Sequence, residues 1–171
     1  MDPFAYRLEI ADRLNLILSR VGFALWQIQK LESVAANYFV LLVQVQKGMG
    51  REAGNLLFEN AQKKTFGATV RRLAEAGLLT PELERGLIDI LAERNWLVHR
   101  SRAASRGAPY NDAAAMKLLD RLEQIAQQAL ALLKEIGERV ETFAKKHGTT
   151  EEYIHETSNR LLEEWRFGDA T

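Results

Sequence analysis

From Leu118 to Phe143 apolar side chains recur every three or four residues, at Leu118, Leu122, Ile125, Ala129, Leu132, Ile136, Val140 and Phe143, with no proline to interrupt them. That period excludes a strand, whose side chains alternate every two residues, so the stretch predicts one long helix with a single apolar seam. Such a seam has to be covered by other helices or by a second copy of the chain. Asn111 or Asp112 stands where a cap is needed, and Lys145-Lys146-His147-Gly148 ends the helix with cations at the negative end of its dipole.

The rest of the chain has the same period. Leu8, Ala11, Leu14, Ile17 and Leu18, then Leu25, Ile28, Leu31, Ala35, Phe39 and Leu42, predict helix from Ala5 to Lys47, with Gly22 the expected place for a kink or break and Lys47-Gly48-Met49-Gly50 as the stop. Trp26 and Phe39 are expected in the core. Two shorter helices follow, Arg51 to about Lys63 and Phe66 to Ala76, the second closed by Gly77. Another runs from Pro81 to Arg102, capped by Thr80, with Pro81 in its first turn and Glu82 near the positive end of the dipole. Thr149, three before Glu152, has capping-box spacing and opens a last helix to about Arg166, whose Ile154, Leu161, Leu162 and Trp165 predict that it docks back. The tail from Phe167 to Thr171 is expected to fray. The fold class expected is all-α, an up-and-down bundle of about five to six helices. Residues 1–147 form the bundle, and 148–171 add a C-terminal helix that packs on it rather than a separate domain.

Composition narrows the chemistry. Lysine plus arginine equals aspartate plus glutamate at 23 each, so any affinity for nucleic acid must come from a local patch. The absence of cysteine excludes disulfides, thiolate zinc sites and a cysteine nucleophile. His99, His147 and His155 have no cluster of ligand residues around them, so neither a metal nor another cofactor is expected. The N-terminus lacks a basic flank followed by an apolar run, and the longest apolar stretch, Tyr38 to Val43, is far too short to span a bilayer. A cytoplasmic protein with no membrane partner is the expectation.

Within that frame one stretch is out of place: Ala92-Glu93-Arg94-Asn95-Trp96-Leu97-Val98-His99-Arg100. On a wheel of about 100° per residue the apolar stripe of its helix is Leu83, Leu87, Ile90, Leu91, Leu97 and Val98, with Arg94 in the middle. Asn95 and His99 lie one above the other at the edge, within roughly 140° of it. A guanidinium keeps its charge in a protein, and burying it alone costs several kcal/mol, so Arg94 requires a partner. That partner is either a glutamate on a neighbouring helix or a phosphate in a cleft or dimer interface. Arginine offers forked donors to phosphate oxygens, and histidine is the side chain whose unperturbed pKa lies nearest neutrality. Four arginines, one histidine and no acid occur between Arg94 and Arg106. Arg100, Arg102 and Arg106 are therefore expected to grip a nucleic-acid backbone, with Tyr110 packing to close the loop.

Arg94-Asn95-x-x-x-His99, late in a helix of an all-helical chain and followed by a basic loop and another long helix, resembles the signature of the HEPN superfamily. The likeness of architecture spans roughly Leu8 to His147, and that of residues about ten positions. It implies an HEPN-like bundle that forms a homodimer, and a metal-independent endoribonuclease of the toxin or phage-defence kind that acts on tRNA or mRNA. An antitoxin or regulatory protein is implied as a further partner. The implied catalytic residues are Arg94, Asn95 and His99. Some members paired with a nucleotidyltransferase antitoxin carry a modified tyrosine two residues after the histidine; Ser101 stands there in this chain. The alternative is a non-catalytic helical dimer, a nucleotide- or RNA-binding or scaffold subunit, since other relatives have lost activity.

Overall fold

A computed structural model describes residues 2–168. All regular structure among them is helical: α1 (Pro3–Phe39) running into a π turn (Val40–Gln44), α2 (Arg51–Gln62), α3 (Phe66–Glu75), α4 (Pro81–His99), α5 (Ser101–Ala104), a 3-10 turn (Ala108–Tyr110), α6 (Asp112–Lys146) and α7 (Glu151–Phe167). The seven α-helices among the described residues exceed the expected count because α5, a single turn, forms inside the stretch read as loop. None of the described helices is long and apolar enough to cross a membrane.

The helix ends follow backbone chemistry. Thr80 accepts a hydrogen bond from the Leu83 amide at 3.3 Å, Pro81 fills the first turn, and Asn111, rather than Asp112, caps α6 by accepting from the Ala114 amide at 2.9 Å. Gly77, at φ +67°, lets the Leu78 amide reach back to the Leu73 carbonyl at 3.1 Å and close α3. Gly148 ends α6 the same way, with the Thr149 amide bonded to the Ala144 carbonyl at 3.1 Å. Thr149 is thus part of that termination, and the cap of α7 falls to Thr150, which accepts from the Tyr153 amide at 3.2 Å, one residue later than the sequence suggests.

Three further expectations are corrected. α1 passes through Gly22 unbroken. A mid-helix glycine costs about 1 kcal/mol, less than the burial of an Ile side chain, and Ile17 and Ile28 are buried on either side of it. Trp26 is not core but 62% exposed: it is two residues from both buried Ala24 and Ile28, hence about 200° around the helix from each. The helical run also stops at Gln44 rather than Lys47, in a π turn closed by the Val45 amide on the Val40 carbonyl at 3.0 Å.

The chain divides into two compact units, residues 1–136 and 137–171. In the first, α1 packs against α2, α3 and α4, and α3 against α4. Its core is Ile28 and Leu31 of α1, Leu73 of α3, Leu87 and Ile90 of α4, and Leu122 of α6. The repeat from Leu118 to Ile136 is buried, as its period requires. The Leu132 side chain of α6 reaches over Gly86 of α4, where a Cβ would lie 2.8 Å from Leu132 Cδ2. In the second unit Lys145 bonds Glu141 at 2.8 Å and Glu151 at 2.6 Å.

Candidate functional site

α4 buries Leu83, Leu87, Ile90 and Leu97, and Arg94 belongs to that row, four residues after Ile90 and three before Leu97. Its guanidinium does not stay under the row. The stem carries it to the edge, where the side chain is 37% exposed and Nε donates to Glu32 Oε1 of α1 at 3.2 Å. Nη1 lies 3.4 Å from Asn95 Oδ1, a long contact that orients the group more than it binds it. The charge thus has its partner, on a neighbouring helix, and keeps donors for another. The stripe is narrower than the wheel suggests: Leu91 is half-buried beside Gly67, and Val98 is 49% exposed because α4 ends one residue later.

His99, the last residue of α4, is exposed. Five residues on from Arg94, it stands about 140° further round the helix and about 7.5 Å along it. Among the described residues its ring has no hydrogen bond or ion pair, so it is open to a second molecule. Asn95, one turn earlier, is exposed as well. Within one chain the fold therefore gathers Arg94, Asn95 and Glu32, and sets His99 on the adjoining open face.

The helix does not reach Arg102 as expected. It ends at His99, and the Arg100 amide bonds the Trp96 carbonyl at 2.8 Å. Ser101 spends its hydroxyl on the Leu97 carbonyl at 2.6 Å. Arg100 is exposed beside the motif, whereas Arg102 and Arg106 turn towards the N-terminal half of α1. There they line a groove of about 480 Å³ with Leu14, Ile17, Leu18 and Tyr110. Tyr110 does not close the loop by packing, since it is 65% exposed. Arg13 does that work: Nη1 donates to the Pro109 carbonyl at 3.0 Å, and Nη2 pairs with Glu9 at 2.7 Å and with Asp112.

Sequence reasoning missed Glu32, Arg13 and the brace on the other side of α4. Arg121 of α6 grips Glu93 through two bonds of 3.0 Å, and its guanidinium lies 3.6 Å from the Trp96 ring centroid. That brace fixes the helix from which Arg94 and His99 project. The signal for Glu32 was its place beside Leu31 and Ala35 on the buried side of α1; nothing local pairs it with a residue 62 positions away. Glu32 also walls a polar cleft of about 70 Å³ with Gln29, Ser33, Gln62 and Lys64. Gln62 ties that cleft by donating to Ser33 Oγ at 3.0 Å and Asn37 Oδ1 at 2.9 Å. A space that small admits water rather than a nucleotide.

Compared with family models, curated proteins and solved structures, the chain matches none.

Proposed function

We propose that this chain is a metal-independent endoribonuclease of the HEPN type, a toxin or phage-defence enzyme whose site is completed when two copies meet. The observation that carries the reading is Arg94: a charge set in an apolar row, drawn to the surface by Glu32 and Asn95, with an exposed His99 on the last turn of the same helix. A half-exposed guanidinium with one carboxylate partner retains donors for phosphate oxygens. Arg100 adds positive charge beside it.

The reaction is transesterification. An imidazole takes the proton of a ribose 2′-hydroxyl as its oxygen bonds to phosphorus, the bond from phosphorus to the 5′-oxygen breaks, and a protonated imidazole gives its proton to the leaving 5′-oxygen. The products carry a 2′,3′-cyclic phosphate and a 5′-hydroxyl. One chain presents one imidazole at this place, so His99 of a second copy supplies the other partner in proton transfer. Acid-base help of this kind is worth about 10²- to 10⁴-fold. Arg94 stabilises the charge that gathers on the phosphorane oxygens, and Asn95 holds Arg94 or bonds the phosphate.

The alternative, a non-catalytic dimer that binds RNA or a partner protein, draws support from the Arg94–Glu32 pair, which also serves stability alone. Labelled tRNA incubated in EDTA with wild type, Arg94→Ala and His99→Ala separates the two. The nuclease reading expects cleavage by wild type and a loss of about 10²-fold or more in each variant. Intact RNA with folded wild-type protein, or cleavage that EDTA abolishes, contradicts it.

A further inference from the structure

The groove beneath Arg102 and Arg106 has features that RNA binding does not use. Its walls are aliphatic: Ile10, Leu14, Ile17, Leu18 and Val21 of α1, with Leu118 of α6 opposite. Its volume, about 480 Å³, falls in the range of small-molecule sites, roughly 300–1,000 Å³, and far above a packing defect. Leu14 and Leu18 are 40% and 59% exposed, so apolar surface faces water that an occupant would displace.

The rim has the opposite character. Arg102 and Arg106 are exposed and, among the described residues, have no hydrogen-bond or ion-pair partner. Neighbouring arginines differ: Arg13, Arg94 and Arg121 each hold a glutamate. Two unsatisfied forks at the lip of an aliphatic trough match a ligand with one anionic end and a saturated tail. A nucleobase fits less well, because the walls along α1 are aliphatic, Ser101 already spends its hydroxyl on Leu97, and Tyr110 is the one aromatic ring in the lining.

We propose that this groove binds a single-chain anionic amphiphile, a fatty-acid carboxylate, with its tail along α1 and its headgroup held by Arg102 and Arg106. The inference is independent of the nuclease reading. The test is calorimetric titration of the full chain with dodecanoate, below its micelle concentration, and with dodecanol as a headless control. One equivalent of dodecanoate is expected to bind, and dodecanol at least about 10-fold more weakly, since hydrogen bonds to a charged group are worth that much or more. The double variant Arg102→Gln/Arg106→Gln, altered only at exposed positions, is expected to lose a similar factor. Val21→Trp, which fills the trough, is expected to abolish binding while leaving the helical circular dichroism and the thermal unfolding transition in place. Absence of saturable binding, equal binding of dodecanol, or binding that survives Val21→Trp in a folded protein overturns the proposal. So does a short single-stranded RNA whose affinity falls with Val21→Trp, because the trough would then hold bases.

Discussion

Arg94 illustrates how a single side chain can serve structure and leave room for chemistry. Its pair with Glu32 is partly exposed on both sides, 37% and 26%, so water screens it and its worth to folding is small. Glu32→Ala is therefore expected to lower stability by less than about 1 kcal/mol in denaturant titration. It should nevertheless reduce RNA cleavage, because the guanidinium loses the group that aims it. Leu87→Ala, by contrast, opens a cavity in the core and is expected to cost about 2–5 kcal/mol. The requirement that Arg94 have a partner was legible in its neighbours' spacing. The partner's identity was not, because helical periodicity carries no information about which helix lies alongside.

At the level of elements, the repeat of threes and fours told where helices run and which faces they bury, and the caps at Thr80 and Asn111 follow from residue type. Breaks were less legible: Gly22 costs one helical position little against a buried face, so only tertiary packing decides that α1 continues. The seat of Leu132 was hidden too, since a glycine such as Gly86 reads as weakness until that side chain is seen against it. Gly86→Leu is expected to force α4 from α6 and cost about 1–3 kcal/mol, measured by thermal unfolding with α-helical circular dichroism. The junction between α6 and α7 carries its own pH dependence. Hydrogen bonding to Lys145, then its charge, holds the Glu151 carboxyl below the usual carboxylate range, and bonds to Glu141 and Glu151 raise Lys145 above the usual ammonium range. A depressed folded pKa stabilises above the unfolded value and is lost as pH falls through the folded one, so α7 should fray on acidification through the carboxylate range. The protection of the Tyr153 and Ile154 amides, taken against their intrinsic exchange rate at each pH, should fall there in wild type and change little in Glu151→Gln.

At the scale of the whole molecule, α1 leaves Phe23 and Trp26 exposed within nine residues of Glu32, on the helix that holds Arg94. Large apolar side chains exposed side by side favour burial against another surface. A second copy of the chain is the occupant that the twofold site proposed above would bring to them, although Glu32 stands about 120° round α1 from Trp26 and about 180° from Phe23. Trp26→Lys is expected to leave the monomer folded and to lower the solution mass towards one chain, read by light scattering. The basic stretch was legible as a cluster, but its division between Arg100 at the motif and Arg102 with Arg106 on the groove depends on a turn that only the fold reveals. We propose that two chains together make the site. The direct measurement is RNA cleavage per chain as concentration falls through the range where the dimer dissociates. With a shared site the rate per chain collapses with the dimer; monomers that cleave at the full rate, or dimers that leave RNA intact, would contradict it.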